Sequence, residues 1–382
     1  MKRPSAILNT VKKWIRKMLR IGIIGCGKIA DTHAEQIQRI PDCKIVGVCD
    51  QEELMARQFC ERYDAEKYFR EARELLQVSQ PDVIHVTTPP QSHFEIGKLC
   101  LEAGCHVYIE KPFTLNTEEA EILIKCATEK NLKITVGHDA QFSQVALRMR
   151  ELIKTGFLGG APSHMESIYC YDFGDIRYTK ALLGDKTHWV RMLPGKLLQN
   201  VISHGICKIA EFLTGDTPEV LAYGFTSPLL KTINEVGIID ELRVIIHDNK
   251  NTSAYFTFSS QINPVLHQFR VYGPKNSLIV DENEQTIIKI KGGKYKSYLN
   301  YFIPPYILAK QYLGNSMNNI TQFIKMDLHM SSGMRNLIKT FYHSVKYDAP
   351  LPIPPREIIL TSRIMDSIFE QLNFVQNTKR LR

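Results

Sequence analysis

The chain has 382 residues, 44% hydrophobic and 23% charged, with a net charge of +8. That is ordinary globular composition with length for two cores, since single cores stop growing near roughly 250–300 residues. Residues 1–20 hold seven lysines and arginines and no acid, so the body beyond them is nearly neutral, which argues against a nucleic-acid surface.

Residues 1–17 form a basic N-terminal extension. Ile7, Leu8, Val11 and Ile15, then Met18 and Leu19, recur at helical spacing among the basic residues. Such a short basic amphipathic helix over residues 1–20 suits an anionic membrane surface or a partner. The alternative is that translation begins at Met18. The stretch lacks the apolar core of a secretory signal. No run of 18 or more apolar residues predicts a spanning helix.

From Ile21 strands and helices alternate. Strands are predicted at Ile21–Ile24, Lys44–Cys49, Val83–Thr87, His106–Ile109 and Lys133–Val136. Helices fall between them: from the Gly25 turn to Arg39, Glu52–Arg62, Ser92–Ala103 and Thr117–Lys130. This predicts a parallel sheet covered by helices, a dinucleotide-binding Rossmann domain over residues 18–137. After Gly137 longer β-type runs follow, at His164–Tyr171, Val220–Phe225, Leu242–His247, Ser253–Ser259, Gln268–Tyr272 and Ile287–Ile290. Helices are expected at Val145–Thr155, at Leu198–Leu213, through most of 300–346 and from Arg356 to Phe374. Residues 138–382 therefore read as an α+β domain with a large, mainly antiparallel sheet for substrate binding and oligomerisation. Nine scattered cysteines with no Cys-x-x-Cys pair predict reduced thiols and a cytoplasmic location.

Gly25-Cys26-Gly27-Lys28-Ile29-Ala30 is a G-x-G-x-x-A turn between a strand and a helix. The first glycine makes the turn, the second admits a pyrophosphate, and Ala30 lets the helix approach the strand. The helix N-terminus then meets the phosphates. Asp50, ending the second strand, suits the ribose hydroxyls and repels the extra phosphate of NADP, so NAD is favoured. Read alone, Asp50 is also an ordinary strand-ending turn residue. Thr88-Pro89 ends another strand and reads either as a turn facing the nicotinamide half or as a plain turn before a helix capped by Ser92. Glu110-Lys111-Pro112 follows the next strand. Pro112 biases Lys111 to an extended backbone. Lys111 then either aims into the crevice and exchanges a proton with substrate or lies over the sheet edge.

Together these motifs, with His33 and His93, resemble the glucose–fructose oxidoreductase / inositol dehydrogenase family, Gfo/Idh/MocA. The resemblance runs from about Met18 to the last helix and is weaker after residue 295. It implies a Rossmann domain, a second domain with an open antiparallel sheet, and homodimers or homotetramers formed through that sheet. Cofactor contact is implied for Gly25, Gly27, Lys28, Ile29, Ala30, Asp50, Thr88, Pro89, His93, Glu110 and Lys111. It gives Lys111 a catalytic role and matches Asn200 and His204 to the family's Asp and His, four residues apart on one helix face. Asn200 stands where an Asp is usual, and an amide cannot take a proton. That leaves Lys111 and His204 as proton carriers. Gln141 likewise stands where the family often has Arg. His188 and Trp189 precede the Gly195 turn in a segment of the kind that lines the substrate pocket, where Trp189 either stacks on a sugar or joins the core. No metal is expected, since no His-x-x-x-His or His-Glu-x-x-His spacing occurs.

The expected function is NAD-dependent hydride transfer at a hydroxyl or keto carbon of a sugar, sugar derivative or nucleotide sugar. The alternatives are an NAD-retaining glycosidase on the same scaffold and a non-catalytic NAD-binding partner protein.

Overall fold

The computed structural model describes residues 18–174, 179, 183–250, 252–293, 295–296, 298–325 and 331–380. The basic extension 1–17 lies outside them. The chain divides into two compact units. The first takes residues up to Glu110, Leu123–Thr135 and Ile338–Pro352; the second takes Lys111–Ile122, Val136–Leu337 and Ile353–Arg382. Residues 338–352 thus join the first unit and 111–122 the second, whereas a single boundary at 137/138 was expected from sequence.

The first unit holds six strands: β1 Leu19–Ile24, β2 Cys43–Cys49, β3 Tyr68–Phe69, β4 Val83–Val86, β5 His106–Ile109 and β6 Ile134–Val136. Their order is β3-β2-β1-β4-β5-β6. β1 pairs in parallel with both β2 and β4. Ile21, Ile23, Ile84 and Val107 are completely buried, as continuous apolar runs in a two-sided parallel sheet require. The helices along this stretch are α1 Lys28–Gln38, α2 Glu53–Arg62, α3 Ala72–Ser79, α4 His93–Glu102 and α5 Thr117–Glu129, the last with its residues 117–122 counted in the second unit. β3 and α3 are additions to the predicted elements. A two-residue strand is too short to show an alternation, and the next helix begins without a side-chain cap.

In the second unit come α6 Gln144–Lys154, β7 His164–Cys170, α7 Trp189–Met192, α8 Lys196–Val201, α9 Ser203–Ala210, β8 Glu219–Phe225 and α10 Pro228–Thr232. Then follow β9 Glu241–His247, β10 Ser253–Ser259, β11 His267–Tyr272, β12 Asn276–Asp281, β13 Thr286–Lys291 and α11 Leu299–Ile324. α12 Ser332–Tyr347 and α13 Pro355–Arg380 complete the described helices. The seven strands run β13-β12-β11-β7-β10-β9-β8. The pairings are antiparallel except β7 with β10. One face packs on α9 and α13 around Ile206, Phe256, Phe258, Leu278 and Ile368. β12 was missed because its Asn-Ser start reads as a turn.

The single helix predicted over 198–213 is two helices meeting at Ile202. The turn tightens there: Gly205 N–H donates to Ile202 O at 3.0 Å, alongside the regular Ile206 bond. No described helix is long and apolar enough to cross a membrane.

Candidate active site

In the first unit the strand order reverses between β1 and β4, and the loops after both strands lie at this switch. Gly25 has φ +97°, and a Cβ there would come within 2.9 Å of the Thr87–Thr88 backbone, so only glycine fits. A Cβ on Gly27 would meet nothing within 4 Å, which leaves room for a diphosphate. Gly27 caps α1 with no side-chain bond, so the first N–H groups of the helix are not taken by a cap side chain. Lys28 and Ile29 are exposed on its first turn while Ala30 is wholly buried. Asp50 reaches this loop: Oδ2 accepts from Cys26 N–H at 2.7 Å and Oδ1 from Glu52 N–H at 3.0 Å. Each oxygen keeps a further lone pair for a ligand hydroxyl.

Thr87 Oγ1 donates to Gly25 O at 2.6 Å and ties the two loops together. Thr88 Oγ1 accepts from Ser92, and Pro89 is exposed. His93 is fully buried, and its Nε2–H donates to Thr88 O at 2.8 Å. It supports the loop from behind.

Glu110 ends in a buried chain that sequence did not reveal. Glu110 Oε1 meets His33 Nε2, His33 Nδ1 meets His85 Nδ1, and His85 Nε2 meets Tyr342 Oη, each at 2.8 Å. All four residues are at most 5% exposed. Burial and His33 hold His85 well below the usual imidazole range, so it is neutral. The contacts are satisfied when Tyr342 donates to His85, His85 Nδ1–H to His33, and His33 Nε2–H to the Glu110 carboxylate, and equally when the His33–His85–Tyr342 bonds run the other way. Glu110 and His33 belong to motifs legible in the sequence, His85 and Tyr342 to none; Tyr342 lies 257 residues from His85.

In the second unit the Lys111 ammonium donates to Asn200 O at 2.9 Å and to Asn200 Oδ1 at 3.2 Å. The Lys111–Pro112 peptide is cis. Asn200 is thus a seat for the lysine, accepting through both its backbone and its side-chain oxygen. His204 follows on α9. Its ring stacks on Tyr169 at 5.2 Å, and its Nδ1 is buried with no hydrogen-bond partner. Burial first, then Lys111, His138, Lys208 and His267, hold its pKa well below the ordinary value, so the ring is neutral.

Tyr169 pairs with His267 across β7 and β11, and their rings stack at 4.0 Å. His267 Nε2–H donates to Cys170 O at 3.0 Å, and burial lowers its pKa to about 4. Lys208 pairs with Glu282 at 2.6 Å, both nearly buried. These rings and Glu282 line a cavity of about 670 Å³ with His204, Asp139, Asn319 and Ser332. That volume suits a small ligand. Sequence reasoning missed Tyr169, Lys208, His267 and Glu282, although Tyr169, Tyr171 and Phe173 alternate as one strand face would.

His188 and Trp189 do not line this cavity. His188 Nδ1 accepts from Val190 N–H and caps α7, while Trp189 is half-buried. Gln141 is 2% exposed and donates to Glu211 at 2.9 Å, so it too stays off the cavity wall. Among the described residues no His/Cys/Asp/Glu cluster could hold a metal ion.

The sequence model GFO_IDH_MocA, described as an oxidoreductase family with an NAD-binding Rossmann fold, matches residues 19–138. The chain is 24% identical over 322 residues to the myo-inositol 2-dehydrogenase of Thermotoga maritima, covering 80% of this chain and 87% of that protein. It is 33% identical over 149 residues to the UDP-N-acetylglucosamine 3-dehydrogenase of Acidithiobacillus ferrooxidans, spanning only 44% of that protein. In fold it is similar to the WlbA dehydrogenase of Bordetella pertussis, solved with NADH and UDP-GlcNAcA, at TM-score 0.72 and 15% identity over 93% of this chain and 95% of that one. Residues 19–138 therefore carry the NAD-binding Rossmann domain of the Gfo/Idh/MocA oxidoreductases, and the chain is similar to a dehydrogenase over most of its length.

Proposed function

We propose that the protein is an NAD-dependent dehydrogenase acting at a hydroxyl or keto carbon of a sugar, sugar derivative or nucleotide sugar. One observation carries the reading: a lysine held by the two oxygens of Asn200 and a histidine with a buried Nδ1 on a cavity wall stand in one unit, four positions apart at Asn200 and His204. The Gly25–Ala30 turn, Asp50 and the Thr88–Pro89 loop would hold NAD, which when bound supplies a hydride acceptor or donor.

The residues would act as follows in the oxidation direction. His204 Nδ1 is shut from water, so Nε2 is the ring atom that accepts the hydroxyl proton. Lys111 Nζ, held by Asn200, stabilises the oxygen as that proton leaves and serves as the second proton carrier. His267, half-buried at the end of the ring stack, would offer a flat face to a polyol ring. Nine free thiols support a reducing, cytoplasmic setting. The apolar outer face of β8, β9 and β10, with Leu221, Tyr223, Ile245 and Tyr255 exposed, supports self-association.

The test is NADH formation across inositols, hexoses and UDP-sugars, with NADP in parallel. One class is expected to be oxidised with NAD. Lys111→Ala should lower kcat at least about 100-fold while NAD still raises the thermal midpoint. Unchanged turnover in that variant removes Lys111 from the reaction. Sugar release without accumulation of NADH would favour the hydrolase alternative.

A further inference from the structure

α11 is amphipathic the wrong way round for a helix on a protein surface. Its polar face is turned inward. Gln311, Asn315 and Asn319, spaced four apart, face the edge strand β13. Gln311 accepts from Lys289 N–H at 2.8 Å and donates to Lys289 O at 3.0 Å. Asn315, 3% exposed, makes the same pair of bonds with Ile287, and Asn319 donates to Glu284 O. The amides serve as a substitute strand.

The opposite face is apolar and open. Phe302, Tyr306, Leu313, Met317, Ile320 and Ile324 are 49–74% exposed. At about 100° per residue these six fall in one stripe opposite the amides. Tyr312 and Phe323 widen the stripe on one flank, to roughly half the circumference, beyond the narrow seam of a coiled coil. Lys310 borders it on the other flank. Between Gln285 and Asp327 the sequence holds six lysines and five tyrosines, and no aspartate or glutamate.

We infer that α11 lies in the surface of an anionic lipid bilayer, its apolar stripe among the acyl chains and its lysines among the headgroups. Interfacial helices combine these features: a wide apolar face, tyrosines whose rings suit the boundary, and lysines at the rim. A second copy of the chain fits less well, because it would bring two acid-free, six-lysine segments together. The helix lies on the membrane and does not span it.

The test is flotation of the full chain with vesicles of phosphatidylcholine, with and without phosphatidylglycerol. Binding is expected only with phosphatidylglycerol, weakened by salt. Leu313→Ser with Met317→Ser and Ile324→Ser should weaken it about tenfold or more while thermal unfolding and NAD binding stay unchanged. Lys310→Glu with Lys325→Glu should weaken it too, leaving the apolar stripe intact. A chain lacking residues 1–17 should still float. No flotation of the wild type would overturn the inference, as would loss of flotation on removing residues 1–17 alone. So would a wild-type oligomer that the triple serine variant breaks into monomers with flotation unchanged.

Discussion

At His204 burial and the neighbouring ammonium act in the same direction. A base must be neutral to accept a proton, and an imidazole near an ammonium is easily kept neutral. Its pKa lies well below 6.5 in the folded chain, from burial first and Lys111 second. The unfolded chain takes up this proton near 6.5, so the fold loses stability as pH drops below that value. The same shift keeps the base active in mild acid. The acid limb of the oxidation rate is expected below pH 6.5, read as kcat/KM against pH over the range where the chain stays folded. A limb at or above that value would take the base role from His204. Residue identity was partly legible. Gly25, Asp50 and Lys111 sit in motifs whose spacing is local. The Tyr169–His267 stack is a cross-strand pair 98 positions apart, fixed by the register of β7 and β11 and marked by no short motif.

Among elements, the strands with strong alternation or continuous apolar runs were legible, often to within a residue. The helix break at Ile202 was not, because it depends on a partner: a Cβ at Gly205 would come within 2.3 Å of the Phe256 ring. The role of α11 was also hidden. Gln311, Asn315 and Asn319 look like an ordinary polar face until β13 is beside them. Asn315→Ala should cost about 2–4 kcal/mol, since it strands both the N–H and the carbonyl of buried Ile287. Denaturant unfolding measures it. Asn318→Ala, one position from the amide row, should be close to neutral and serves as the control.

For the whole molecule, the outer face of the large sheet is the feature most exposed to other copies. Leu221, Tyr223, Ile245 and Tyr255 line a shallow cavity of about 320 Å³ around Arg243. Changing Leu221→Lys with Tyr223→Lys should shift the sedimentation coefficient from oligomer to monomer, with the fold kept because both side chains point to solvent. A wild type that is already monomeric would end the assembly reading. The other end of that sheet carries a lesson for anyone trimming the protein. Deleting α11 to make it more manageable would uncover the N–H and carbonyl groups of Ile287 and Lys289. An uncapped β13 is then a template on which further chains can add strands, so the shortened protein should aggregate instead of gaining solubility.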